Sequence, residues 1–279
     1  MTALSFAPPT SPKAAKTWPL WLGILLALSV LGALPATRQW FLAWDTRIAY
    51  WMNGLLGHSK GFDLFVAWLN GNKGDAAVIV VLFLFFAAHC CIPWDRRKVC
   101  EKAAYWVWVG ATLMLLVVVV RVAERVFDRD SPARVLEGWF DLKKVYRVHT
   151  RVGSGRCFPS GHAVAFFYFA ILATRRFPWL GLPLLAASLA LPLSRLMSGA
   201  HWASDVYLVS LALAGLYAAV CYETSIVKMS RWGEVLLGGL WHAAEHRRQR
   251  RFPDRVGAAW AEFLSDTPAP QSVNVKDRE

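Results

Sequence analysis

The sequence predicts an all-α polytopic membrane protein with six transmembrane helices and with interfacial helices in its outer loops. Of the 279 residues, 56% are hydrophobic and only 18% are charged, a composition too apolar for an ordinary soluble domain. The charged residues gather in patches between long apolar runs. The 15 tryptophans suit a protein that is anchored at two boundaries between water and lipid.

The chain divides into three parts by composition. Residues 1–17 form a polar leader, residues 18–222 contain the apolar runs, and residues 223–279 form a basic tail. We interpret the leader and the tail as cytoplasmic segments that flank a six-helix membrane domain. The start of the tail, with its cluster of arginines at 247–251, is typical of a segment that lies on anionic lipid, and the rest of the tail is expected to be disordered.

Six apolar runs are the candidate transmembrane helices, and they cover residues 18–34, 76–91, 103–120, 163–174, 177–193 and 206–221. A helix needs about 20 residues to cross about 30 Å of hydrocarbon, so the run at 163–174 must extend into the polar residues before it. Residues 38–73 combine aromatic and polar side chains at roughly helical spacing. This pattern favours helices in the membrane interface, with a water-facing loop of packed aromatic residues as the alternative.

The basic residues of the loops give an orientation. Basic residues at 96–102, at 175–176 and beyond 223 place these segments and both termini in the cytoplasm. The link at 121–156 is also rich in arginine and lysine, although an even number of spans places it outside together with residues 158–162 and 194–205. We therefore interpret its charge as a phosphate-binding feature.

The net charge of +12 indicates an anionic partner. No zinc-finger spacing or stacking platform accompanies the basic residues, so we expect anionic lipid and no nucleic acid. The five cysteines have no CxxC spacing, which predicts neither a disulfide framework nor a zinc site.

Two polar segments at the edges of apolar runs carry the chemistry. The first ends in Ser160, Gly161 and His162, and the second contains Arg195, His201 and Asp205. At helical spacing Asp205 lies one turn beyond His201 and is able to orient its imidazole, while Arg195 is able to hold an anionic oxygen. Ser160 and Gly161 precede a predicted helix, whose first N–H groups bind anions, so we name Ser160 and the Gly161 N–H, with Arg195, as substrate-binding candidates. The remaining histidines have no comparable neighbours in sequence, and we interpret them as structural: His58, His89, His149, His242 and His246.

The segments Pro159-Ser160-Gly161-His162 and Ser194-Arg195-x5-His201-x3-Asp205 resemble the second and third signature motifs of the type 2 phosphatidic acid phosphatase (PAP2) superfamily. The six-helix layout is similar to the membrane lipid phosphatase branch. The resemblance implies that His201 is a nucleophile that forms a phosphohistidine intermediate. It also implies that His162 protonates the leaving oxygen and then activates water, without a metal or another cofactor.

The first signature motif of that superfamily, a lysine and then Arg-Pro after six residues, is degraded in this chain. Aligned on Pro132, the chain has Glu124 in place of the lysine and Ser131 in place of the arginine. Arg125 and Arg129 lie near one helix face with Arg121, so we expect one or two of these arginines to supply the missing charge and name Arg125 and Arg129 as substrate-binding candidates. The alternative is a solvated helix end in which acidic neighbours pair these arginines.

The expected protein is thus an enzyme that hydrolyses a phosphomonoester or diphosphate of a membrane lipid. We expect it to lie in the cell (inner) membrane with its site facing the periplasm or exterior. Undecaprenyl diphosphate is the first candidate substrate, followed by phosphatidylglycerophosphate, phosphatidate and lipid A. A phosphotransferase that uses the same site, for example onto lipid A, is one alternative, and a non-catalytic lipid-binding or transport protein is another.

Overall fold

A computed structural model describes residues 16–91, 96–127, 129–153 and 155–223. Within these ranges the regular secondary structure is helical and no strand occurs, which confirms the all-α class. The predictions for the leader and the basic tail concern residues that lie almost wholly outside the described ranges.

Eleven helices follow one another in the described residues. They are α1 Trp18–Ala33, α2 Pro35–Asn53, α3 Lys60–Leu69, α4 Asn72–Cys91, α5 Arg96–Val126, α6 Pro132–Val135, α7 Leu142–Tyr146, α8 Gly161–Arg176, α9 Pro178–Ala190, α10 Leu193–Met197 and α11 Ser210–Glu223. A π-helical turn, Ser204–Val209, leads directly into α11. Such turns are frequent at functional sites.

Four helical stretches in the described residues are long and apolar enough to cross a membrane, namely Asn72–Cys91, Lys102–Val126, Pro178–Met197 and Ser204–Glu223. Helices α1 and α2 meet at an angle of 96° and together form a fifth candidate. The bend lies at Pro35, which cannot donate a helical hydrogen bond. The predicted fourth span corresponds to α8, which has only 16 residues, so the count of six spans stays a prediction.

Helix α8 occupies the centre of the bundle. It packs against α5, α9 and α11, and α1 packs against the outer side of α11. Its side chains Phe167, Tyr168 and Leu172 are fully buried. Hydrogen bonds also link the helices: the Tyr105 hydroxyl donates to the Leu172 carbonyl at 2.9 Å, and the Tyr168 hydroxyl lies 2.5 Å from that of Thr112. Interhelical bonds of this kind stabilise helix association where lipid surrounds the bundle.

A polar cluster closes the end of the bundle where α8 and α11 finish and α1 begins. The Glu223 carboxylate accepts hydrogen bonds from the Thr17 amide at 2.7 Å, the Thr17 hydroxyl at 2.5 Å and the Trp18 amide at 3.2 Å. Arg175 donates to the same carboxylate at 3.0 Å. One acidic side chain thus joins three helix ends. The residues that it brings together, Thr17, Arg175 and Glu223, all lie in or next to segments that the sequence predicts to be cytoplasmic.

We expect Glu223→Ala to lower the thermal unfolding temperature of the detergent-solubilised protein. The change removes the acceptor of these hydrogen bonds and leaves half-buried donors unpaired, at a cost of about 1–3 kcal/mol. Arg134→Ala is the control, because it breaks the ion pair between Arg134 and Asp130. These side chains are 53% and 48% exposed, and an ion pair so exposed contributes little to the free energy of unfolding. Equal unfolding temperatures for the two variants would contradict a role of Glu223 in joining the helix ends.

Candidate active site

A cavity of about 680 Å³ opens between α5, α8 and the two polar segments. One part of its wall is aliphatic and comes from Leu113, Leu116, Val117 and Val120 of α5 and from Val164 and Ala165 of α8. The other part carries Gly161, His162, Arg195, Ala200 and His201 together with Arg121, Glu124 and residues of the link, namely His149, Thr150, Arg151, Val152, Gly153 and Arg156. The structure therefore brings both predicted histidines, Arg195 and Gly161 to one space.

His162 lies in the first turn of α8, where the chain turns from the link into the helix. Ser160 is the N-cap residue and its carbonyl accepts the first helical hydrogen bond, from Val164, at 2.9 Å. The amides of Gly161 and His162 precede that bond and have no acceptor within their own helix. Two backbone donors and an imidazole thus meet at the cavity, an arrangement suited to an anion.

His201 lies in a loop whose shape depends on a glycine. Gly199 has φ +74°, and a Cβ atom there would lie 2.5 Å from the Trp139 ring and 2.8 Å from Ala133. Trp139 also donates to the Ser198 carbonyl at 3.3 Å. The left-handed turn at Gly199 and the tight packing of Trp139 together direct the chain from α10 towards His201.

The hydrogen bond of His201 defines which ring nitrogen can react. Nδ1 lies 2.7 Å from the Cys157 carbonyl oxygen, and a carbonyl only accepts, so Nδ1 carries the hydrogen and Nε2 carries the lone pair. Desolvation lowers the pKa of His201 to about 3, with the charges of Arg195 and Arg151 acting in the same direction. Because the pKa is lowered, the imidazole is neutral near neutral pH, which is the form that acts as a nucleophile.

The predicted direct contact between Asp205 and His201 is replaced by a connection through Cys157. The Asp205 carboxylate accepts from the Trp202 amide at 3.3 Å and from the Cys157 thiol at 3.4 Å, and it forms an ion pair with Arg129. Cys157 then presents its carbonyl to His201. Helical spacing failed as a guide here because residues 198–202 form a turn and the helix begins only after His201.

Arg129 and Arg125 do not line the cavity, contrary to the prediction that they bind the substrate. Arg129 lies between the carboxylates of Asp205 and Asp45, 2.9 Å from the latter, with its guanidinium over the Trp202 ring. Desolvation lowers the pKa of Arg129, but the two carboxylates more than offset this effect and raise it. Arg125 is exposed near the end of α5. Arg129 is therefore a structural cation.

The arginines beside the two histidines are Arg195 and Arg151. Arg195 is 5% exposed and its Nη2 lies 2.6 Å from Oδ1 of Asp75. Arg151 comes from the basic link, and its Nη1 lies 2.6 Å from Oδ2 of the same carboxylate. The charge of the link indicated a phosphate-binding role, but nothing in the local sequence singled out Arg151 among its neighbours.

Of the other polar residues near the site, some line the cavity and one is buried outside it. Arg121 and Arg156 line the cavity, and Arg121 pairs with Glu124 at 2.7 Å, so Glu124 partly cancels charge at the position where the superfamily has lysine. Ser160, predicted to bind the substrate, is fully buried and does not line the cavity, because it caps the start of α8. Its hydroxyl has no hydrogen-bond partner among the described residues. His149, predicted to be structural, lines the cavity.

The side chains of Cys157, His201 and Asp205 lie within 4.8 Å of one another, a spacing compatible with a metal ion. Each is already engaged by protein groups, since the thiol donates to Asp205, Asp205 pairs with Arg129 and His201 donates to a carbonyl. Hydrogen bonding is sufficient to explain the cluster.

Comparisons with known proteins agree with the motifs. The family model of the PAP2 superfamily matches residues 105–229, which include both polar segments. A curated relative, lipid A 1-diphosphate synthase of Escherichia coli (strain K12), is 26% identical over 195 residues, which cover 67% of this chain and 79% of that protein. The crystal structure of Aquifex aeolicus LpxE aligns with 64% of this chain and 94% of its own, at a TM-score of 0.40 and 18% identity.

We expect Gly199→Ala to abolish activity, whereas Gly138→Ala should retain it. Both glycines have positive φ, at +74° and +69°, but a Cβ at Gly138 has no atom within 4 Å. Both changes incur the backbone cost of about 1 kcal/mol, and only Gly199→Ala also displaces Trp139 and the loop of His201. Turnover and thermal unfolding of the two purified variants, measured side by side, test this difference. Similar activity in both would show that the loop tolerates the displacement.

Proposed function

We propose that this PAP2 superfamily protein is an integral-membrane phosphatase that hydrolyses a phosphomonoester or diphosphate of a membrane lipid through a phosphohistidine. The observation that supports the proposal is a cavity in which His162, His201, Arg151 and Arg195 lie opposite an aliphatic wall. Such a cavity suits an amphiphile, with its phosphate at the polar end and its chain along α5. The outer face of α5 is also apolar, with Met114, Leu115 and Val118 at least 60% exposed, so the chain of the substrate has a route from the lipid.

The proposed chemistry begins at Nε2 of His201. Its lone pair attacks phosphorus while Nδ1 keeps its hydrogen bond to the Cys157 carbonyl. The bond from phosphorus to the leaving oxygen breaks, and His162 gives that oxygen a proton. His162 then accepts a proton from water as the water oxygen attacks phosphorus, which breaks the P–N bond and releases phosphate. Arg195, Arg151 and the amides of Gly161 and His162 stabilise the charge on the phosphoryl oxygens.

The proposed location is the cell (inner) membrane, with the cavity at the periplasmic or exterior face. The cluster of Thr17, Arg175 and Glu223 lies at the C-terminal ends of α8 and α11, whereas His162 and Asp205 lie at the opposite ends, in the first turn of α8 and in the π-helical turn before α11. This separation is the one expected if the predicted cytoplasmic elements and the cavity lie on different sides of the bilayer. Undecaprenyl diphosphate is the first substrate to test.

A lipid phosphotransferase is the second candidate, because the curated relative is named lipid A 1-diphosphate synthase. Both activities share the step that phosphorylates His201, and they differ only in whether water or a lipid phosphate accepts the phosphoryl group. A non-catalytic lipid-binding protein, the third class, does not require either histidine to be reactive.

We expect His201→Ala to reduce phosphate release below detection and to remove ³²P labelling of the protein by a labelled lipid diphosphate. His162→Ala should lower turnover by about 10²–10⁴-fold and should accumulate labelled protein. Phosphorylation of His201 continues because the leaving group of a diphosphate needs little protonation, whereas hydrolysis of the phosphohistidine slows because it still needs a base. Rapid quenching at alkaline pH preserves phosphohistidine for this measurement. Unchanged lipid binding and function in His201→Ala would instead support the non-catalytic class.

Acceptor identity is tested by incubating the purified protein with labelled undecaprenyl diphosphate, with and without lipid A. For a phosphatase we expect inorganic phosphate in both reactions at the same rate. Mass analysis that finds the label on lipid A would identify a transferase. Phosphatidylglycerophosphate and phosphatidate in parallel reactions define the range of substrates.

A further inference from the structure

One carboxylate that belongs to no motif contacts several of the polar residues that line the cavity. Asp75, in the first turn of α4, contacts Arg195 at 2.6 Å, Arg151 at 2.6 Å and Nε2 of His162 at 3.3 Å. These three partners come from α10, the basic link and α8. One carboxylate therefore touches three of the residues to which the proposed function assigns phosphate binding and proton transfer.

Tight packing at the start of α4 fixes the position of Asp75. A Cβ atom on Gly74 would lie 2.3 Å from the Trp68 carbonyl oxygen and 2.8 Å from the Leu69 Cα, so α4 begins directly against the end of α3. The Asp75 amide donates to the Gly71 carbonyl at 3.1 Å. The carboxylate, 17% exposed, therefore extends from a rigid backbone.

Arg151 is held to the same region through its backbone. Its amide donates to the Asn70 carbonyl at 3.2 Å, and the Asn70 side chain donates to the Arg151 carbonyl at 2.5 Å. Asn70 also donates to the Ser198 hydroxyl at 2.6 Å. The turn before α4 thus joins the link to the loop that carries His201, and Asp75 and Arg151 are positioned together.

Asp75 and Arg151 compete for the same nitrogen of His162. Nε2 lies 3.3 Å from the Asp75 carboxylate and 3.4 Å from Nη1 of Arg151. A carboxylate accepts only from a protonated Nε2, whereas a guanidinium donates only to an Nε2 that carries a lone pair. Burial, together with Arg195 and Arg151, holds the pKa of His162 below its usual value, and the Asp75 carboxylate acts against this by favouring the imidazolium that an acid needs.

We propose that Asp75 is a positioning residue for the reaction, which keeps the hydrogen of His162 on Nε2 and holds Arg151 and Arg195 in place before the phosphate arrives. With Nε2 engaged, Nδ1 is the nitrogen that gives its proton to the leaving oxygen and later takes one from water. The ring changes between imidazolium and the neutral Nε2–H form, and Asp75 stays ionised. The expected effect on turnover rests on the proposed function, whereas the expected Nε2–H tautomer of His162 rests on the contacts alone.

The kinetic test compares Asp75→Asn with Asp63→Asn. Asp63 is a fully buried carboxylate of α3 that accepts from the Tyr146 hydroxyl at 2.7 Å and does not line the cavity. Asp63→Asn therefore reports the cost of replacing a buried carboxylate by an amide outside the site. We expect Asp75→Asn to lower kcat by roughly 10²-fold, with KM unchanged or lower because the arginines lose a competing anion. Asp63→Asn should leave kcat within a few-fold, and Asp75→Glu should restore part of the loss.

Two further readouts separate positioning from folding. Among the described residues, the charged groups that interact with His162 are Asp75, Arg151 and Arg195, and the neutral His201 and the Arg121-paired Glu124 line the same cavity. Removal of the Asp75 carboxylate therefore leaves Arg151 and Arg195 as the charges that act on the ring. The alkaline limb of the pH profile should therefore move to lower pH by roughly one unit in Asp75→Asn. A phosphomonoester, whose leaving group needs the proton, should lose more activity than a diphosphate.

The tautomer is measurable without any turnover. ¹⁵N NMR of the ring nitrogens of His162, assigned with His162→Gln, should show the Nε2–H form in the unmodified protein and a mixture in Asp75→Asn. If no lipid phosphate is hydrolysed but this difference is seen, the proposed function fails while the positioning role stands. An unchanged tautomer, or an Asp75→Asn variant with normal kcat and pH profile, would overturn the inference.

Discussion

The candidate site depends on one half-buried cation. Arg129 joins Asp45 of α2 to Asp205 in the π-helical turn before α11, and its backbone carbonyl accepts from the Cys157 amide at 3.0 Å. Both carboxylates are at least 97% buried, so without the guanidinium two negative charges would stay in a poorly hydrated space at a cost of several kcal/mol. The carbonyl that holds His201 belongs to Cys157, and its position follows from this ion pair network.

Three carboxylates separate the arginines of the site into a structural one and two that face the cavity. Arg129 is saturated between Asp45 and Asp205 and lies outside the cavity, whereas Arg151 and Arg195 share only Asp75 and face it. A phosphoryl group brings more negative charge than one carboxylate and competes for these two arginines. In the proposed role, Asp75 neutralises part of the charge of Arg151 and Arg195 before the substrate binds. The cavity then binds other anions weakly while both arginines remain in place.

The sequence predicted correctly those features of the fold and the site that depend on a pattern within a short stretch of residues. The all-α class and the helical segments within 38–73 rest on hydropathy and local spacing, and the meeting of His162 with His201 rests on two short motifs together with an even number of spans. Helix periodicity failed for Arg129 because α5 ends at Val126, so Arg129 is not on the face that carries Arg121 and Arg125. Asp75 and Arg151 meet across 76 residues through the turn at Asn70, and no local spacing encodes such a contact.

The choice of a backbone carbonyl as the partner of His201 also has a chemical consequence. A carboxylate at Nδ1 would stabilise the positive charge that develops on the ring when Nε2 forms a bond to phosphorus, and it would stabilise the phosphohistidine with it. A carbonyl fixes the same tautomer with a dipole only. In the proposed mechanism the phosphohistidine therefore stays high in energy and readily passes its phosphoryl group to water or to a second lipid. The outcome, hydrolysis or transfer, then depends on which acceptor reaches His162 and not on the nucleophile.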